Sequence, residues 1–160
     1  MTIKQCSPCT ACCDGWLTAD IRGNKVKPWK PCIYSMKQGC EIYENRPENP
    51  CVVFKCAWLQ EEHKLPEHMK PSECGAIVLL DHGWMSRKVI KAVPTGKKIP
   101  SDTLEWLKAY AREQSLPLLF SEYLFKENGE LIGRKKIGYG PPSFIREVET
   151  SIEPDDIMMF

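Results

Sequence analysis

The chain has 160 residues and a formal net charge of +1, which is enough length for one domain with a real core. A charge this near zero argues against a dedicated nucleic-acid surface or a polybasic membrane anchor. Charged residues at 27% and apolar residues at 42% are those of a folded chain and argue against bulk disorder.

Cysteine is the abnormal component. Eight of nine cysteines (Cys6, Cys9, Cys12, Cys13, Cys32, Cys40, Cys51 and Cys56) fall in the first 56 residues, and none follows Cys74. Met1 to Gln5 run straight into Cys6, without the charged and apolar regions of a secretory signal. No apolar run approaches the roughly 18 residues of a membrane span. The expectation is a cytoplasmic protein with no membrane contact. Thiols there stay reduced, and clustered cysteines are more often metal ligands than disulfides. An odd count of nine also fits a closed disulfide framework poorly.

Two segments are predicted, 1–65 cysteine-rich and metal-binding and 66–160 α+β, which together form one compact domain. Residues 1–60 carry eight Lys/Arg and five Asp/Glu. Part of that excess lies in the basic stretch Arg22 to Lys30, read as a solvated loop whose charges would also stabilise an anionic thiolate–metal site. Arg46-Pro47-Glu48-Asn49-Pro50 reads as a turn, and Cys51 to Glu62 as a helix stopped before Pro66. On an ideal helix Cys51 and Cys56 would stand about 140° apart and could not share a site.

Ala76 to Leu80 is predicted as a strand, Asp81-His82-Gly83 as a turn, and Trp84 to Val93 as the returning strand. Pro100-Ser101-Asp102 starts a helix, with Asp102 and Glu105 spaced as a capping box and Leu104, Leu107 and Ala111 as its apolar stripe. Leu116 to Phe125 and Glu130 to Tyr139 are strands joined at Asn128-Gly129, a strong hairpin signal. A short helix over 143–151 and an apolar end, Ile157 to Phe160, that docks on the core or a partner complete the chain. The expected fold class is therefore α+β: an irregular cysteine-rich segment packed on a small, mainly antiparallel sheet with one clear helix.

Cys6-x2-Cys9-x2-Cys12-Cys13 is the strongest motif. Two-residue spacing lets thiolates and the amides between them wrap one metal centre. Three such cysteines in a row approach the ferredoxin pattern, in which one loop supplies three ligands of an iron–sulfur cluster. The fourth ligand there often stands beside proline, and Pro31-Cys32 and Pro50-Cys51 both offer this. Cys13 cannot easily share a site with Cys12, because successive side chains diverge. Eight thiols allow two four-thiolate sites, one site with spare thiols, or a cluster completed by histidine or water. Thiolates suit zinc, iron–sulfur and Cu(I) and disfavour Mg, Ca and Mn.

The series Cys6-x2-Cys9-x2-Cys12-Cys13, Pro31-Cys32, Gly39-Cys40-Glu41-Ile42-Tyr43, Arg46-Pro47, Cys51 and Phe54-x-Cys56 resembles the CxxCxxCC cysteine-cluster proteins, the YkgJ-like family described as zinc- or iron-chelating. The resemblance covers residues 6–59. It implies metal chelation by these eight cysteines. A larger relative, flagellin lysine N-methylase, carries a similar cluster with bound iron–sulfur. One departure is that Glu48-Asn49-Pro50 intervene between Arg46-Pro47 and Cys51.

Cys74, His63 and His68 are read as non-ligands, and His82 as a turn residue. Trp16, Trp29 and Trp58 are expected to shield the sulfurs as local core, and Tyr43 and Arg46 to hydrogen-bond to ligating sulfurs. Arg134-Lys135-Lys136 is too small a basic patch to indicate nucleic acid. No catalytic triad, phosphate loop or dinucleotide fingerprint is present. The sequence thus predicts a protein binding zinc or iron, with an iron–sulfur cluster as one form of that cargo. An iron–sulfur redox or protein-modifying enzyme or accessory protein is the first alternative, and a zinc-stabilised nucleic-acid or protein adaptor the second. It names neither a reaction nor a protein partner.

Overall fold

The computed structural model describes residues 4–6, 8–81 and 83–151. The chain is α+β. Its centre is a four-stranded sheet in the order β5 (Ala76–Leu79), β6 (Ile90–Pro94), β7 (Leu118–Phe125), β8 (Leu131–Tyr139). β5/β6 and β7/β8 are antiparallel, whereas β6/β7 are parallel, with Ile90 beside Leu118 and Ala92 beside Phe120. The sheet is therefore mixed. The parallel pair requires a crossover, and α2 (Ser101–Gln114) supplies it.

β5 and β6 are buried along their whole length, because both faces are covered. One face presents Ala76, Val78, Ile90, Ala92, Leu118 and Phe120 to Leu107 and Ala111 of α2. The other presents Ile77, Leu79, Val93, Leu119 and Tyr123 to Phe144 and Val148 of α3 (Pro142–Thr150) and to Ala11 and Leu17 of the cysteine-rich segment. Period-2 alternation thus divides the core into two layers. Ala11 and Leu17 thus dock on the same layer as α3, whereas Ala57, Trp58 and Leu65 of the same segment join the α2 layer.

Several boundaries differ from the sequence reading. α2 begins at Ser101 with Pro100 at the cap position and no side-chain cap, so the expected capping box does not form; Asp102 Oδ1 instead accepts from the Thr103 N–H at 3.0 Å. The returning strand starts at Ile90, not at Trp84. Met85 and Ser86 take positive φ (45° and 65°) and close a tight turn in which Trp84 bridges Arg87, which consumes the residues before it. The β7/β8 hairpin turns at Asn128-Gly129: Gly129 has φ +87°, Asn128 Oδ1 accepts from Glu130 N, and Lys126 N donates to Glu130 O at 2.8 Å. Expectations for His82 and for Ile157 to Phe160 lie outside the described residues.

The cysteine-rich segment contains more regular structure than its composition suggested. β1 (Ala19–Ile21) and β2 (Asn24–Val26) form a hairpin, and β3 (Ser35–Met36) and β4 (Gly39–Cys40) a second. Arg22 (φ 52°) and Gly23 (φ 83°) have the paired positive φ of a two-residue hairpin turn matched to strand twist. Arg22, Lys25, Lys27 and Lys30 are exposed, but the stretch they occupy is a hairpin and turn, not an open loop. A short α1 (Pro71–Cys74) leads into β5.

Trp29 helps hold the segment on the sheet. It is 50% exposed, yet meets Trp16, Tyr123 and Phe125 edge-on at 4.9, 5.2 and 4.9 Å. Such pairs contribute about 1 kcal/mol each beyond area burial. Trp29 is therefore a surface clasp between the β2–β3 connection and β7, not part of a local core.

Candidate metal centre

The first cysteines lie on a tight path. Cys9 N–H donates to the Cys6 carbonyl at 2.7 Å, and Asp14 N–H to the Thr10 carbonyl at 2.8 Å. Asp14 then fastens this loop to β3: its carboxylate accepts from Thr10 Oγ1 and from Ser35 Oγ, both at 3.0 Å. Cys12 to Trp16 form an irregular helical turn broken at Gly15, which has φ +101°. A β-carbon there would lie 2.0 Å from the Lys27 carbonyl oxygen and 3.3 Å from that of Lys30. Only glycine lets the loop approach the β2–β3 turn so closely. Sequence reading overlooked this residue, whose only signal was a glycine soon after the Cys12-Cys13 pair.

The remaining cysteines arrive from three directions. Cys32 N–H donates to the Cys13 carbonyl at 2.7 Å, and Ser35 N–H to the Cys32 carbonyl at 3.0 Å. Cys40 pairs with Ser35 across the β3/β4 hairpin. Cys51 sits in an irregular turn over Glu48–Val52, where Val53 and Phe54 N–H donate to Glu48 and Pro50 carbonyls. The predicted helix over 51–62 does not form. The Ala57 N–H leaves the local chain and donates to Val78 O of β5 at 2.8 Å, which buries Ala57 and Trp58 against the sheet. That tertiary bond wins over local propensity. It also removes the 140° separation of Cys51 and Cys56.

All eight cysteines line one cavity of about 500 Å³, together with Tyr43, Arg46 and Lys4. All nine cysteines of the chain are free thiols. Among the described residues, no group of three or more Cys, His, Asp or Glu side chains is placed to hold a metal ion. The donor set fits a thiophilic ion, and the carboxylates a Mg or Ca site needs are few in the lining, with Glu61 and Glu62 alone present. Turning a cysteine χ1 from one staggered well to the next moves its sulfur by about 3 Å, so thiols around a shared cavity can close without moving the backbone.

The thiols are not equivalent. Cys12 donates to Cys6, and this, with help from the Arg46 and Lys70 charges and against the effect of burial, lowers the Cys6 pKa to about 7. A hydrogen bond from Cys12 likewise lowers Cys13. Cys12, whose single S–H is shared between Cys13 and Cys6 and which is deeply buried, is raised well above the thiol range. Burial raises Cys40, Cys51 and, to about 11, Cys56. Arg46 is the cation common to Cys6, Cys13, Cys40 and Cys51. Its Nη1 donates to the Tyr43 carbonyl at 2.6 Å and its guanidinium lies 3.9 Å from the Tyr43 ring centre. The pair expected to bond to sulfur is thus a braced positive charge facing the thiols.

The other candidates stand apart. Cys74 is buried under α2, and its thiol donates to the Met69 and Ala76 carbonyls at 3.4 and 3.2 Å. His63 Nε2 lies 3.5 Å from Asp81 Oδ1, and His68 rests edge-on against Trp106. Trp58 is buried in the α2-side core, against which Cys56 and Leu59 also pack, with Lys4 and Lys70 over its ring. Replacing Cys74 by alanine is expected to cost about 1 kcal/mol in urea denaturation and to leave metal content unchanged, since it removes weak thiol bonds and little volume. A fall in bound metal in Cys74→Ala would place Cys74 among the ligands.

Compared with family models, with curated proteins and with solved structures, the chain has no match. Among the described residues no helix is long and apolar enough to cross a membrane.

Proposed function

We propose that this protein chelates zinc or iron through the clustered thiolates of its N-terminal segment. The observation that carries the reading is that eight cysteines from four separate stretches of chain line one cavity. Cysteines kept only for packing would disperse through the core, as Cys74 does. The motif resemblance to the YkgJ-like CxxCxxCC family favours the same chemistry. Zinc held by thiolates would brace the fold or be passed on, and iron would bring electron transfer. The chain's own contribution is to deprotonate and orient the ligands. Cys6, with a pKa near 7, supplies a thiolate at neutral pH without a metal, and Arg46 offsets the negative charge that four thiolates place around a dication. A reducing, cytoplasmic setting belongs to this reading, because oxidised thiols cannot ligate.

A second reading, an iron–sulfur protein with a redox or protein-modifying role, is favoured by the run Cys6-x2-Cys9-x2-Cys12 on one wall of the cavity.

Metal-free, reduced protein is expected to withdraw zinc from a chromophoric chelator with nanomolar or tighter affinity, about 12 kcal/mol. The variant with Cys6, Cys9 and Cys12 all replaced by alanine should lose at least a hundredfold. Native protein that withdraws neither zinc nor ferrous iron would overturn the reading.

A further inference from the structure

We propose that the eight thiols form two four-sulfur centres that part between the adjacent residues Cys12 and Cys13, with Cys6, Cys9, Cys12 and Cys56 in one and Cys13, Cys32, Cys40 and Cys51 in the other. The division rests on the chelation reading above and adds to it the stoichiometry and the ligand sets.

Packing makes the division visible. Cys9, Cys12 and Cys56 lie against the core layer built on Ile77 and Leu79 of β5. Cys13, Cys32 and Cys51 lie against a separate small cluster built on Ile21 and Val26 of the first hairpin. Two consecutive residues thus pack against different apolar walls, with Cys9 and Cys56 on the side of Cys12 and Cys32 and Cys51 on the side of Cys13; Cys6 and Cys40 are assigned by the backbone.

The backbone supports the same grouping. The 2.7 Å bond from Cys9 to Cys6 draws the first two ligands onto one turn, and the Ala57–Val78 bond fixes Cys56 at the edge of β5. The 2.7 Å bond from Cys32 to Cys13 joins the first two ligands of the second group, while the β3/β4 hairpin carries Cys40 back beside them. Away from the dividing line the electrostatic neighbours follow the grouping, since Cys56 feels Cys6 and Cys9 whereas Cys51 feels Cys13, Cys32 and Cys40; at the line itself Cys6, Cys12 and Cys13 act on one another in the metal-free thiols.

Coordination chemistry makes two centres the economical arrangement. A tetrahedral ion takes four thiolates at about 2.3 Å, so a single ion would leave four of the eight unused. Two tetrathiolate dications would each carry a formal −2. Arg46 acts on Cys6 of the first group and on Cys13, Cys40 and Cys51 of the second, the place where a cation relieves repulsion between neighbouring anionic centres.

The test is an anaerobic titration of the reduced, metal-free full chain with Co²⁺, whose visible bands report a tetrathiolate environment. The expected signal rises to a break at two equivalents. Cys9→Ala with Cys56→Ala should break at one equivalent, as should Cys40→Ala with Cys51→Ala. The cross pair Cys9→Ala with Cys51→Ala should lose tetrathiolate bands from both centres. Because a variant can fail to fold, native protein loaded with ¹¹³Cd gives an independent reading: two resonances in the all-thiolate range are expected. A break at one equivalent with a single cadmium resonance would overturn the division while leaving chelation intact. Absence of any cobalt or cadmium binding would overturn both. Loss of only one centre in the cross pair would overturn the assignment of ligands.

Discussion

Gly15→Ala is expected to destabilise the protein by about 3 kcal/mol or more, a fall of about 10 °C in the melting temperature. Two penalties act together. The residue sits at φ +101°, a conformation that an L side chain rarely adopts, and the new methyl would lie 2.0 Å from the Lys27 carbonyl oxygen. The obstructing atoms are backbone on the β2–β3 turn and cannot rotate aside as a side chain would. Relief requires the loop from Cys12 to Trp16 to lift away from that turn. Because Cys12 and Cys13 lie three and two residues before Gly15 on the same turn, the same movement would spread the thiols and weaken chelation. Urea denaturation and zinc competition check the two consequences separately. A variant within about 0.5 kcal/mol of native stability would mean that the loop does not pack on the turn as described.

The second large effect is selective thiol reactivity in reduced, metal-free protein. At pH 7 about half of Cys6 is thiolate, with its pKa near 7, against about one part in 10⁴ of Cys56, with its pKa near 11. A thiolate of lower pKa is also a weaker nucleophile, which returns roughly two of those four decades. Iodoacetamide should therefore label Cys6 about a hundredfold faster than Cys56, read by peptide mass mapping. The sign with pH follows from the same values. Between pH 7 and 9 the Cys6 rate should level off as its thiolate fraction saturates, while the Cys56 rate rises tenfold per unit. Cys12→Ala should slow Cys6 labelling more than Arg46→Ala, because the Cys12 hydrogen bond is the larger cause of the lowered value. Equal labelling of Cys6 and Cys56 at pH 7 would contradict this arrangement of the thiols.

The parts of the fold that sequence disclosed are those fixed by local chemistry. α2 carries its own apolar stripe and stops before Pro117, and Asn128-Gly129 sets the β7/β8 hairpin within four residues. The parallel pairing of β6 with β7 was hidden because nothing in either strand specifies a partner across the intervening α2. The same reason explains the false helix over 51–62. Its residues suit a helix, but one backbone bond from Ala57 to Val78 and the burial of Trp58 outweigh that preference. The Arg22-Gly23 turn carries one glycine as its only local signal, and the strands it joins, three residues each, are too short to show alternation.

For the site, the cysteine spacing singled out eight candidate ligands but not their geometry. Eight candidate cysteines line one cavity, and Cys74 stands away from it in a hydrogen-bonded core position. What spacing could not convey is that Cys12 and Cys13 face different apolar walls, since that depends on β5 and on the first hairpin, both remote from the motif. Nor could it convey Gly15, whose role exists only where two loops meet.

The central claim is that these thiolates hold a transition metal, and element-resolved analysis of the full chain purified without oxygen, with acid-labile sulfide determined on the same sample, tests it most directly. Stoichiometric zinc or iron is expected, with two equivalents of metal centre if both groups are filled. Brown protein with sulfide would identify iron–sulfur, and colourless protein with zinc would identify simple chelation. Less than about a tenth of an equivalent of any transition metal in fully reduced protein, with all eight thiols free to react, would contradict it.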